Sequence, residues 1–157
     1  MSIENLISKM KKEKKLLIVE PSKEISQAYM KKATKSLKSS KVLLKIKNLE
    51  DSIAMAYYSM YFALLSLLFR VGIKSENHTI SIWLLKELFE IDNKSIKNAK
   101  KERIEKQYYV DSKVLEQEVK DLTRDTEDFI TLIFNFIETL KQDDIDCFRN
   151  KARKILS

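Results

Sequence analysis

Between Ile53 and Phe69 the sequence reads "IAMAYYSMYFALLSLLF", and only Ser59 and Ser66 interrupt its apolar and aromatic side chains. A helix that is apolar all round has no face to give to water and must be enclosed on every side. Either a bilayer or protein has to do this. A membrane span needs about 20 apolar residues, whereas this stretch has 17, with three tyrosines near its middle. Protein cover is therefore the expectation, with no membrane partner. Gly72 follows as a natural left-handed stop.

The rest of the chain has to supply that cover. At 157 residues it reads as a single domain, long enough to bury roughly 68–70% of its unfolded surface. One glycine and one proline leave almost no turn chemistry for hairpins. Together with 34% charged and 44% apolar residues, this points to an all-α fold, an antiparallel up-and-down helical bundle. A single small bundle has trouble covering the 53–69 helix on all sides. Pairing with a second copy would complete the cover, so a homodimer is expected. The lone Cys147 cannot form an internal disulfide, which suits a reducing, cytoplasmic setting. Lysines 9, 11, 12, 14 and 15 are followed by no long apolar segment, so no secretory signal is read there.

Helical spacing extends along the whole chain. Ile3, Leu6, Ile7 and Met10 form a first stripe, followed by Leu16-Leu17-Ile18-Val19 and Pro21. Ser22 is a fair N-cap for a helix to about Lys47. On it Ile25, Ala28, Tyr29, Ala33, Leu37, Leu43 and Leu44 are expected to share a face. Ala28, Ala33, Ser36 and Ser40 are small enough for another helix to come close. A further helix starts near Ser75 or Asn77, and another occupies about 94–109 after a turn at Asp92-Asn93. Asp111 or Ser112 is expected to cap the next. There Leu115, Val119, Leu122, Thr126, Phe129, Ile133, Phe136 and Leu140 alternate steps of four and three, the spacing of a long bundle helix. A short helix, about 143–156, ends the chain.

Charge is unevenly placed. Residues 1–50 hold thirteen lysines against five glutamates, and residues 111–146 hold eleven acidic against four basic residues. The basic half is either a solvated lysine face or a docking surface for RNA or an acidic partner. The acidic residues of 111–146 mostly lie off the helical seam.

Few chemistries survive the composition. One histidine and one cysteine give no zinc-ligand cluster, no EF-hand loop is present, and one glycine permits no phosphate-cradling loop. No metal or cofactor is called for. Arg103 stands out. On a helical wheel Ile96, Ala99, Ile104 and Tyr108 span one arc, and Arg103 falls inside it. An arginine facing the packed side has five donors to satisfy. Two partners fit it, a carboxylate on a neighbouring helix or the phosphate of a ligand. His78, in "SENHT", either joins local capping or acts as the one side chain with an ordinary pKa near neutrality. Tyr57, Tyr58 and Tyr61 read as core and interface packing, with the Tyr58 or Tyr61 hydroxyl finding a partner across the bundle.

In order and spacing, four stretches resemble the HEPN family of small helical proteins: "DSIAMAYYSMYFALLSLLFRVGI", "KSENHTISIWLLKELF", "RIEKQYY" and "TEDFITLIFNFIETL". The likeness covers about residues 26–140, with 1–21 and 143–157 as terminal additions to about five core helices. It implies a dimer with a cleft between subunits and a minimal nucleotidyltransferase as partner, often in a toxin–antitoxin pair. Several members of that family are metal-independent ribonucleases whose arginine is followed, four to six residues on, by a histidine. Here Arg103 matches the arginine, but Tyr108, Tyr109 and Val110 stand where that histidine would be.

The resemblance thus makes Arg103 and Tyr108 the candidate catalytic pair and Arg103, His78 and Lys100 the candidate nucleotide- or RNA-binding set. Tyr108 and Tyr109 become candidate acceptors of an adenylyl group. The leading expectation is a nucleotide- or RNA-binding homodimer partnering a nucleotidyltransferase. The alternatives are a ribonuclease toxin using Arg103 and a non-catalytic helical assembly protein.

Overall fold

A computed structural model describes residues 1–109 and 113–157. Among these, seven helices and one small sheet follow in the order α1 Ile3–Lys12, β1 Leu16–Ile18, α2 Lys23–Lys45, α3 Leu49–Val71, β2 Ile73–Ser75, α4 His78–Glu87, α5 Lys94–Tyr108, α6 Glu116–Thr139 and α7 Gln142–Ile155. The fold is an all-α bundle with a two-stranded clip. In the clip β1 and β2 pair antiparallel, with Leu17 opposite Lys74. Ser22 caps α2 as expected, its hydroxyl accepting from the Ile25 amide at 3.0 Å. The cap expected at Asp111 or Ser112 lies outside the described residues. The helix that follows starts at Glu116, with Leu115 in its N-cap position.

The α2–α3 hairpin is the spine. Three α2 residues are fully shielded at heptad intervals, Ser26, Ala33 and Ser40, and they face Ser66, Ser59 and Ser52 of α3. Because none of these side chains is larger than a hydroxymethyl group, the hydroxyls of Ser40, Ser52, Ser59 and Ser66 reach the other helix's backbone, and that of Ser26 meets the Ser66 hydroxyl at 3.0 Å. Ser66 donates to the Ser26 carbonyl at 2.7 Å and Ser59 to the Ala33 carbonyl at 2.6 Å. Ser40 and Ser52 donate to each other's carbonyls at 2.8 and 2.7 Å. Ser59 and Ser66, the two interruptions of the apolar run, are the contact itself.

This seam changes the expected face of α2. Ala33 and Ser40 do let α3 approach, but Ile25 and Ala28 are exposed and Leu37, Leu43 and Leu44 are only partly buried. Close approach selects small side chains, so the larger apolar ones are displaced to the flanks of the contact.

The chain's own helices bury most of α3. It is long and apolar enough to cross a membrane by length and composition, yet 78% of its most apolar window is buried within the fold. Left partly open is a stripe of Met55, Tyr58, Phe62 and Phe69, with Tyr29 of α2 stacked on Phe62 and Phe69. Gly72 ends α3 at φ +82°. There Arg149 of α7 donates to the Val19 and Val71 carbonyls at 2.7 and 2.9 Å, and a Cβ on Gly72 would strike that guanidinium. α7 thereby locks the clip to the spine.

The seam predicts an asymmetry at Ser59. Ser59→Ala removes one donor and leaves a helix carbonyl still bonded, a loss of about 1 kcal/mol. Ser59→Leu has to force the helices apart, a loss of about 1–3 kcal/mol or more. Urea denaturation of the two variants measures the difference.

Candidate functional site

Helix α5 buries Ile96 and Ala99 against the core, and Arg103, one turn on, lies over the same arc. Its side chain therefore reaches α3 rather than water. Nη1 donates to the Tyr58 hydroxyl at 2.8 Å. The guanidinium carbon sits 5.0 Å from the Tyr57 ring centre and 5.2 Å from that of Tyr58, within cation–π range. Nε is buried and, among the described residues, has no hydrogen-bond partner. Among the described residues no carboxylate pairs with Arg103. Of the two partners weighed from sequence, the salt bridge to a neighbouring helix is not found there. A tyrosine hydroxyl and two ring faces occupy that side instead.

His78 is the first residue of α4, but Asn77 provides the cap, its Oδ1 accepting from the Ile80 amide at 2.9 Å. His78 turns inward instead. Its Nδ1 is 2.6 Å from the Tyr57 hydroxyl, and its ring stacks on Tyr61 with centroids 3.9 Å apart. Burial, then Lys100 and Arg103, hold its pKa below the ordinary 6.5, so the ring is neutral at pH 7. Burial also pushes the Tyr57 hydroxyl well up, keeping it protonated. Among the described residues Nδ1 is the one acceptor that hydroxyl meets. A buried O–H needs an acceptor, so Tyr57 donates to Nδ1 and the imidazole proton resides on Nε2. His78 then offers its surroundings an N–H donor and no free lone pair.

Lys100 lies between the two. Its ammonium donates to Thr79 Oγ1 at 3.2 Å, and burial and then Arg103 lower its pKa. The start of α4 thus meets α5 in a cluster of Arg103, Lys100 and the His78 N–H, floored by tyrosines. The positive end of the α4 dipole adds to the field. The cluster of acidic residues lies elsewhere. Glu102, Glu118, Asp121 and Asp125 line a hollow between α5 and α6, on the other flank of α5. A larger apolar groove between α2 and α6, lined by Met30, Phe134 and Ile137, lies away from the cluster.

Tyr108 and Tyr109 are not part of this cluster. They are 68% and 63% exposed at the end of α5, and Tyr108 is turned about 140° around the helix from Arg103. Ile104, expected on the packed arc, is 37% exposed for the same reason. The arc is centred on Ile96, Ala99 and Arg103, and Ile104 and Tyr108 fall off its edge. Of the candidates named from sequence, the structure gathers Arg103, His78 and Lys100 and leaves the two tyrosines apart. Sequence reasoning missed Tyr57 and Tyr58 as the arginine's seat. The available signal was the expectation that a buried tyrosine hydroxyl finds a partner across the bundle, which Tyr58 does with Arg103 and Tyr61 with Ser81, at 3.3 Å.

A family model described as the HEPN domain matches residues 26–156, beginning inside α2 and extending past α7. The match supports a helical domain of nucleotide- or RNA-related function. No curated protein matches the chain.

The depressed His78 pKa has a measurable consequence. Below 6.5 the unfolded chain takes up a proton that the folded one refuses, so stability is lost as pH falls from 6.5 through the folded value. His78 is the chain's only imidazole. Urea midpoints of the wild type should therefore fall across that window, and His78→Gln should flatten this part of the decline.

Proposed function

The chain belongs to the HEPN domain family, and on that premise we propose that it binds a phosphate-bearing ligand, a nucleotide or RNA, at Arg103 as a homodimer partnering a minimal nucleotidyltransferase. The observation that supports this most is an Arg103 guanidinium that no carboxylate among the described residues neutralises, seated over two tyrosines and beside Lys100. An arginine so placed has donors to spare and no described carboxylate to neutralise it. A phosphate oxygen satisfies both needs. The His78 Nε2–H and the Lys100 ammonium are the further donors in reach of such a group.

The second copy fits the stripe of Met55, Tyr58, Phe62 and Phe69, which runs from the arginine's seat along the open side of α3. Covering it would wall in the site from the far side. The nucleotidyltransferase partner, in a toxin–antitoxin-like pair, rests on the family resemblance together with the exposure of Tyr108 and Tyr109. Their exposed hydroxyls suit an acceptor whose oxygen attacks the α-phosphorus of ATP and releases pyrophosphate.

A ribonuclease reading is favoured by one observation, the meeting of His78 and Arg103 at Tyr57. It requires a base, and the tautomer held by Tyr57 supplies a donor in its place. Binding without cleavage is the outcome this geometry supports better.

Three results test the proposal. Calorimetry should show AMP binding that Arg103→Ala weakens by roughly tenfold to a hundredfold, as for a hydrogen-bonded charge; equal affinities contradict it. Sedimentation should give a dimer that Phe62→Asp dissociates. Total RNA incubated without metal should stay intact; cleavage abolished by Arg103→Ala would establish the ribonuclease instead.

A further inference from the structure

One turn back along α5 from Arg103, at Lys100, helices α4 and α5 leave a cleft of about 320 Å³. Ile3 of α1, Ile82 and the half-buried Trp83 line it, together with Lys86, Lys97, Lys100 and the single carboxylate Glu87. Local structure accounts for the shape. Thr79 and Trp83 are one turn apart on the same face of α4. The buried Asn93, donating through Nδ2 to the Ile82 carbonyl at 3.0 Å, fixes the start of α5 against that face. From there Lys97, Lys100 and Arg103 follow at three-residue intervals, an inclined row on the helix surface covering about 9 Å of its axis. Among the described residues none of the three is in a salt bridge. The row starts in the cleft and ends over the tyrosines, and the Lys100–Thr79 contact is the sill between the two spaces.

A spaced row of cations beside a half-exposed indole is the pattern that recognises a single-stranded polynucleotide: phosphates follow the charges and a base lies on the ring. A free mononucleotide can use only part of it. We propose that the α4–α5 cleft is a nucleobase subsite, in which a strand held by its phosphate at Arg103 and Lys100 lays the adjoining base on Trp83 and passes its next phosphate to Lys97. This deepens the proposed phosphate site and rests on it. It narrows the ligand to a strand in place of a mononucleotide and adds two residues, Trp83 and Lys97.

Trp83 is the chain's one tryptophan, so its fluorescence reports on the cleft directly. The probes are a hexa-adenylate RNA and AMP, with excitation beyond the adenine absorption band and binding followed in parallel by anisotropy of a labelled hexamer. The hexamer should quench the emission and bind about tenfold or more tightly than AMP. Trp83→Leu should weaken the hexamer by about tenfold. Lys97→Gln should reduce the steepness of log affinity against log salt by about 0.7, the share of one phosphate contact to a single strand. A hexamer that binds in an Arg103-dependent way without quenching, no more tightly than AMP and with an unaltered salt slope in Lys97→Gln, overturns the subsite and leaves the Arg103 site standing. If neither AMP nor the hexamer binds at all, the phosphate site falls and the subsite with it. The quenching measurement uses the unmodified protein, so a poorly folding Trp83 variant does not remove the test.

Discussion

The close approach of α2 to α3 is the contact on which the rest of this structure depends. Ser26, Ala33 and Ser40 against Ser66, Ser59 and Ser52 bring two 23-residue helices near enough for side-chain hydroxyls to bond across to backbone carbonyls. A helix interface of this kind is directional as well as apolar. A slip along the axis would bury hydroxyls without acceptors, at a cost of about 1–3 kcal/mol each. The register of α3 is therefore set on one side by serines. On its other sides the same helix presents Tyr57, Tyr58 and Tyr61 at fixed heights to α4 and α5.

From that fixed row of tyrosines the site follows. Tyr57 holds His78 by its hydroxyl and carries Arg103 on its ring face, while Tyr58 receives the guanidinium hydrogen bond. Arg103, Lys100 and the imidazole are thus gathered by aromatic and hydroxyl groups instead of carboxylates. Helix α5 keeps the signs of charge apart, with its cationic row toward α4 and Glu102 toward the acidic hollow on α6. Part of the sequence's lopsided charge has another use. Lys41 of the basic α2 pairs with Glu127 of the acidic α6, tying neighbouring helices together. The cluster at Arg103 has no such internal neutralisation among the described residues, which is why it remains available to an external anion.

Much of this was legible in the sequence, for identifiable reasons. The enclosed helix, its Gly72 stop, the Ser22 cap and the four-three rhythm of Val119, Leu122, Thr126, Phe129 and Ile133 are local signals, and the helices lie where these signals put them. The strand clip was not legible. Leu16–Ile18 is too short an apolar run to tell from a helix end, and its partner lies at Ile73–Ser75. The face of α2 misled because hydrophobic pattern ranks side chains by greasiness while the seam selects them by size. The seven-residue spacing of small residues in both helices was the better signal. At the site, wheel geometry found Arg103, but its seat on Tyr57 and Tyr58 comes from a helix 45 residues upstream, and no spacing rule links them. Turn chemistry also went unseen, since with one glycine the chain places Lys14, Lys47 and Glu90 in left-handed conformations at its helix ends.

The central claim is that the Arg103 guanidinium, with no carboxylate among the described residues to neutralise it, is held ready for a phosphate oxygen. Nuclear magnetic resonance of the arginine Nε–H groups, with the Arg103 signal assigned by its loss in Arg103→Lys, tests this directly. Titration with AMP should shift that one signal strongly and saturably, while adenosine at the same concentrations leaves it in place. An Arg103 signal that AMP does not move, or that adenosine moves equally, would contradict the account.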